Sequence, residues 1–319
     1  MVRQSNDVFE NAIKSANGLS EGTKKSYLKQ LREAAHLLQP NYIDILEDPD
    51  RANRTLKSLV ESKSISQNTA RAIVAALISL FKHTPKSDLW MRGDNEGLRG
   101  EWSRVLEENN QKVTDWTEQN RLSTREEANW VDHKSWLSME KELRDRERGS
   151  LRHLLVAFHS LMAPLRGGDL SNVEIVPSSN PLADEDADTN TSVLVWDGPT
   201  KPAKLLIREH KTRAYYPVLV REIPAEIKLS IAQSLKDQPR TMLFVNSHGG
   251  PWSRNSFLTW KAKNFQELFG KAVTTNLARH AYITSFKDKD ESIADQRKRA
   301  TEMGHSLKTQ GEYRKIVDR

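Results

Sequence analysis

The sequence predicts a mainly α-helical chain with a small β-sheet, an α+β fold in two parts. Three observations lead there. Apolar residues recur at helical spacing through several stretches bounded by Ser, Thr or Asp caps and proline stops. Short β-rich runs gather between residues 173 and 223. The 319-residue length suits two domains, at about 100–200 residues each.

The first part reads as helical. Ser20 and Thr23 are cap candidates before TKKSYLKQLREAAHLL, where Leu28, Leu31, Ala35 and Leu38 share a face and Pro40 stops the helix. A second helix starts near Ser66, with Ile73, Leu77, Leu80 and Phe81 as its apolar stripe and Pro85 at its end. A third, more polar helix covers Glu96 to Glu118 and includes Trp102, Val105 and Leu106. These make a helical domain over residues 1–120, and EQNRLSTREEANW reads as the linker out of it.

Residues 121–319 form the second domain. Asp132 caps a helix carrying Trp136, Met139 and Leu143 on one face, and Leu151, Leu154, Leu155, Phe158, Leu161 and Met162 mark a strongly apolar helix that Pro164 ends. VEIV, SVLVW, KLLIRE and YYPVLVREI then read as strands. Between the first two, PSSNPLADEDADTN reads as a mobile acidic loop. After Pro224 helical patterns return in AEIKLSIAQSLKD, SRNSFLTWKAKNFQELF, VTTNLARHAYITSF and SIADQRKRATEM.

Composition removes several chemistries. With no cysteine there is no disulfide, thiolate metal site or cysteine nucleophile. No run of eighteen apolar residues and no apolar leader occur, so a soluble, intracellular chain without a membrane span is expected. No phosphate-loop, H-E-x-x-H or G-x-S-x-G motif is present, and the nine histidines lack zinc-like spacing. Asp184, Glu185, Asp186 and Asp188 lie in a Pro/Ser/Asn-rich loop with no frame to hold a cation, so no metal site is expected. The net charge of +6 is uneven: residues 101–200 sum to −8 and residues 201–280 to +9. Such a basic stretch suits a polyanion, nucleic acid being the commonest, or is a solvated basic face; charge alone leaves both open.

Four segments of the second part stand out together. APLRGGDL places Arg166 after the apolar helix with Asp169 three residues on. IREHKTRAYYPVLV puts Lys211 at the end of one strand and Tyr215 at the start of the next. TTNLARHAYIT carries Arg279 in a helix, and MGHSLKTQGEYRK places His305 eight residues before Tyr313. Arginine, lysine, arginine, histidine and tyrosine in this order resemble the tyrosine recombinases and integrases over roughly residues 125–319. LARHAYIT followed by MGHS and a tyrosine is the most specific part. The style of these segments looks most like recombinases of large DNA viruses and related mobile elements. The helical first part resembles that family's core-binding domain.

The resemblance implies a DNA breaking–rejoining enzyme with a tyrosine-recombinase-type catalytic domain. Tyr313 would attack a phosphodiester, leaving a 3′-phosphotyrosyl link and a free 5′-hydroxyl. Arginines are always protonated and bind phosphate oxygens bidentately, which suits Arg166 and Arg279 to the charge of the transition state. Lys211 would protonate the leaving oxygen, with Lys201, Lys204 and Arg213 as nearby competitors. His305 would hydrogen-bond the scissile phosphate, and Asp169 would support Arg166. A free phenol keeps its proton at neutral pH, so Tyr313 needs the field of the arginines and a proton acceptor. The covalent link stores the bond energy, so no cofactor, ATP or metal is implied.

The chain departs from the pattern at Asn276, where the family usually has histidine one helical turn before Arg279. Asparagine can hydrogen-bond the phosphate or position the tyrosine, but cannot take up a proton as histidine does. Two further readings use the same residues: a type IB-like topoisomerase, and a degenerate recombinase fold that binds DNA without cutting. Duplex DNA is the expected partner, with self-assembly into dimers and tetramers on it. Lys24, Lys25, Lys29 and Arg71 of the first part, with Lys261 and Lys263, are candidate phosphate contacts or plain solvated lysines and arginine.

Overall fold

The computed structural model describes residues 6–84, 95–286 and 292–317. They divide into two compact units, Met1–Gln119 and Asn120–Arg319.

The first unit contains α1 (Asn6–Ser15), α2 (Glu21–Leu37), α3 (Tyr42–Leu46), α4 (Pro49–Glu61), α5 (Gln67–His83) and α6 (Asn95–Glu118). Ser20 and Ser66 cap α2 and α5, each accepting from the amide three residues on. The sequence pattern missed α1, α3 and α4. α4 starts from an Asp48 cap with Pro49 in its first turn, and α3 has only five residues, too few for periodicity to register. Phe9, Ile13, Leu31, Tyr42, Leu56, Leu77 and Trp102 are among the side chains of one core, and the Trp102 indole donates to the Leu46 carbonyl at 3.0 Å. The Pro85 stop lies outside the described residues.

The second unit does not begin with the plain linker expected from the sequence. The expected linker contains a short helix, α7 (Thr124–Ala128), fixed by a capping box in which Ser123 and Glu126 bond reciprocally. α8 (His133–Glu147) starts at the Asp132 cap, and α9 (Leu151–Ser160) is buried through most of its length. The sheet runs β1 (Val173–Val176), β2 (Ser192–Val195), β3 (Lys204–Ile207), β4 (Leu219–Glu222) in spatial order, the first pair parallel and the other two antiparallel. α10 (Ala225–Asp237), α11 (Arg254–Phe269), α12 (Thr275–Thr284), α13 (Ile293–Glu302) and α14 (Leu307–Tyr313) follow.

Both faces of the sheet are apolar, and the acidic loop covers one of them. Leu194, Leu205 and Leu219 join the helical core with Phe158 and Phe257. Val176, Val193, Val195 and Leu206 point the other way and are covered by Leu182 and Ala183 of the loop. The loop expected to be mobile is instead pinned: the buried Arg208 guanidinium donates to the carbonyls of Thr191, Leu182 and Asp184. Glu185 pairs with Lys204 at 3.1 Å. β3 and β4 are shorter than the β-rich runs, so Lys211 and Tyr215 lie in the turn between them, with Tyr215 83% exposed. No helix among the described residues is long and apolar enough to cross a membrane.

Candidate active site

Proline at 164 cannot extend α9, so the chain turns there and delivers Arg166. The turn is tight: Asp169 Oδ2 accepts from the Arg166 amide at 3.1 Å, and the Asp169 amide returns a bond to the Arg166 carbonyl. A Cβ on Gly167 would come within 2.9 Å of Leu258, and one on Gly168 within 2.7 Å of Arg254. The Gly-Gly pair thus lets the turn lie directly against α11. Asp169 is 5% exposed, and burial raises its pKa, opposed by Arg254, by the Arg166 amide and by the charges of Arg166 and Arg279.

Lys261 is not the surface phosphate contact expected from the sequence: it is 4% exposed. Its ammonium donates to the Gly167 carbonyl and the Thr275 hydroxyl, bracing α11 against the Arg166 turn and the first turn of α12. Burial lowers its pKa to about 7, with Asp169 opposing.

The two arginines converge on one turn. α13 ends where Gly304 takes a left-handed conformation, φ +65°, and the His305 and Gly304 amides bond back to Ala300 and Thr301. This leaves the Met303 and Gly304 carbonyls free to accept. Arg279, 1% exposed, donates to Met303 at 3.0 Å and to Pro164 at 2.8 Å. Arg166 donates to Gly304 at 3.3 Å and to the Thr212 hydroxyl at 3.1 Å, and that hydroxyl donates to Gly304 at 3.0 Å. Thr212 therefore ties the β3–β4 turn to the arginines. Lys211, its neighbour, is exposed in that turn; the backbone beside it is anchored in the cluster, and its side chain lies on the surface.

His305 and Tyr313 complete the group. Ser306 caps α14, whose two turns bring Tyr313 back so that its ring stacks on His305, centroids 5.0 Å apart at 10°. The Arg279 guanidinium lies 5.0 Å from the same ring. His305 Nδ1 faces the Ser306 carbonyl at 3.2 Å, so Nδ1 carries the proton. Nε2 is then a bare lone pair, buried without a partner. Burial, aided by the charges of Arg279, Arg166 and Arg221, brings the His305 pKa down to about 4. The imidazole is neutral at pH 7.

Asn276 does not join this group directly. Its amide nitrogen lies 3.0 Å from Nε2 of His280, and His280 Nδ1 lies 2.7 Å from the Tyr313 carbonyl. Sequence reasoning passed over His280 and Thr212, although both stand inside the quoted segments LARHAYIT and HKTR. Of the remaining phosphate-contact candidates, Lys25, Lys29 and Arg71 are exposed, and Lys263 is 77% exposed beside Glu267. Lys24 is mostly covered and paired with Glu21 at 3.1 Å.

No protein-family model matches the sequence, and no curated protein matches it. Solved structures do. A lambda integrase dimer bound to a COC' core site aligns over 98% of this chain and 79% of its own, with 11% identity and a TM-score of 0.57. A dimer of lambda integrase residues 75–356 on a COC' core site aligns over 98% and 97%, with 12% identity and a TM-score of 0.55. A lambda integrase tetramer bound to a Holliday junction aligns over 94% and 77%, with 11% identity and a TM-score of 0.54. The chain shares the fold of these lambda integrase structures, mainly α with a small sheet, the class its sequence predicts. At this identity the likeness is one of fold.

Proposed function

We propose that this chain is a tyrosine recombinase that breaks and rejoins duplex DNA through a 3′-phosphotyrosyl intermediate. The observation that carries the reading is the convergence of Arg166, Arg279, His305 and Tyr313 on the Met303–Gly304 turn. That assembly needs three separate segments of the unit Asn120–Arg319 to meet, and a drifted fold has no reason to keep it.

In the proposed reaction the Tyr313 oxygen bonds to phosphorus while the phosphorus–5′-oxygen bond breaks. The phenol proton leaves to an acceptor, and the 5′-oxygen gains one. Both guanidiniums are already held by backbone carbonyls, so their remaining N–H groups meet the non-bridging oxygens with little reorganisation. Losing either would cost on the order of 10²–10³ in rate. His305 presents a bare Nε2, which accepts the phenol proton and then hydrogen-bonds phosphate. Lys211 is assigned the leaving-group proton, delivered from the turn that Thr212 anchors. The unit Asn120–Arg319 is the catalytic domain in this reading, and Met1–Gln119 is the core-binding domain, with Lys25, Lys29 and Arg71 toward phosphates. Self-assembly into dimers and tetramers on DNA is proposed from the integrase assemblies it resembles in fold. The substrate is proposed to be the ends of a mobile or viral element, on the style of the C-terminal segments.

The non-cutting alternative rests on Asn276, whose amide is engaged by His280. One experiment separates the readings. The protein is incubated with negatively supercoiled plasmid and with duplexes from the ends of its own element, without metal or ATP, and stopped with SDS. Recombinase activity gives a protease-sensitive DNA adduct and exchanged strands. Relaxation without exchange indicates the topoisomerase, and salt-sensitive binding with no adduct on either DNA indicates a binder.

A further inference from the structure

Asn276, His280 and Tyr313 form a chain of hydrogen bonds with one consistent assignment of protons. The Tyr313 carbonyl only accepts, so the 2.7 Å contact requires the proton on His280 Nδ1. In a neutral ring Nε2 is then an acceptor, and the group 3.0 Å away is the Asn276 amide nitrogen, which only donates. The two residues are four apart on α12 and share a face. His280 is 6% exposed, and burial lowers its pKa to about 4, which keeps the ring neutral as the pattern needs.

The acceptor is significant. The last carbonyls of a helix have no partner within it, and Tyr313 is the last residue of α14. The chain beyond is tied down as well: the Lys315 amide donates to Oγ1 of Thr284 on α12 at 3.0 Å, and the Ile316 amide donates to the Asn120 carbonyl at 2.7 Å. His280 also packs its ring 4.7 Å from that of Tyr313. The backbone of Tyr313 is thus held by α12, the same helix that carries Arg279.

We infer that His280 is a positioning residue for Tyr313, and that Asn276 sets the tautomer in which it works. The position where the family usually has a histidine serves here to orient a different histidine, one turn along the helix, that grips the nucleophile's backbone. This inference rests on the recombinase reading only for its effect on cleavage; the hydrogen-bond chain is independent of it.

The test has two arms. In the first, ¹⁵N NMR of histidine-labelled protein reads the His280 ring. The Nδ1-protonated tautomer is expected between pH 5.5 and 8 in the wild type, and loss of that single tautomer in Asn276→Leu. An Nε2-protonated His280 in the wild type would overturn the inference whatever the protein does to DNA. In the second arm, His280→Phe keeps the ring packing and removes both nitrogens. Its adduct formation on duplexes from the element's ends is expected to slow on the order of tenfold or more, with DNA affinity unchanged. Adding Asn276→Leu to it should slow cleavage no further. Wild-type cleavage rates in His280→Phe would overturn the positioning role. Absence of any wild-type adduct would count against the recombinase reading, leaving the tautomer measurement to decide the inference.

Discussion

Replacing Gly304 by alanine perturbs the turn on which both arginines converge, and its effect can be separated into two parts. Gly304 and Gly270 have the same left-handed φ of +65°. A Cβ on Gly270 would meet nothing within 4 Å, whereas one on Gly304 would lie 3.1 Å from Leu219 and 3.2 Å from Thr212 Oγ1. Gly270→Ala therefore measures the left-handed backbone cost alone, about 1–2 kcal/mol. Gly304→Ala adds an overpacking cost of about 1–3 kcal/mol, because Leu219 is buried in the core and Thr212 is bonded to Arg166. Urea unfolding should place Gly304→Ala about 1–3 kcal/mol below Gly270→Ala. Since Thr212 must yield, adduct formation should fall in Gly304→Ala and stay at wild-type level in Gly270→Ala. Equal stability and equal activity of the two variants would refute the claim that this turn sets the place of Arg166.

Three other outcomes follow from the structure. Burial lowers the pKa of His159 to about 3 and of His280 and His305 to about 4, so the unfolded chain binds more protons between those values and about 6.5. Stability should be full above pH 6.5 and fall toward pH 4 in urea titrations, and His159→Phe should flatten part of that slope. In DNA binding, Lys263→Gln should reduce the slope of log affinity against log salt by about 1, while Lys261→Met should leave it unchanged, because Lys261 is bonded inside the protein. Arg208→Met removes three carbonyl partners from residues 182–191, and limited proteolysis should then cut within that loop at least several-fold faster than in the wild type, with the rest of the unit intact.

Most of the helices were legible because their signals are local. Ser20, Ser66, Asp132 and Ser253 cap the helices they precede, and apolar spacing marked α5 and α9. The candidate site residues stood out as an order of residue types in short segments. What the sequence did not reveal depends on contacts between distant segments. Lys261 reads as one more basic residue of α11 until Gly167, 94 positions earlier, proves to be its partner. The acidic loop reads as solvated because its covering role is carried by Leu182 and Ala183 and by Arg208 from across the sheet. His280 was in plain view, yet only the fold shows the Tyr313 carbonyl, 33 residues on, within its reach.

The role proposed for Tyr313 as nucleophile is tested by finding where DNA attaches. A duplex nicked next to the cleavage position traps the covalent complex by letting the 5′-hydroxyl fragment diffuse away. Protease digestion and mass spectrometry of the remaining adduct then locate the modified residue. Nucleotides linked through a 3′-phosphate are expected on Tyr313 alone, with no adduct in Tyr313→Phe. An adduct on Tyr215, Tyr216 or Tyr282, or an undiminished adduct in Tyr313→Phe, would contradict it.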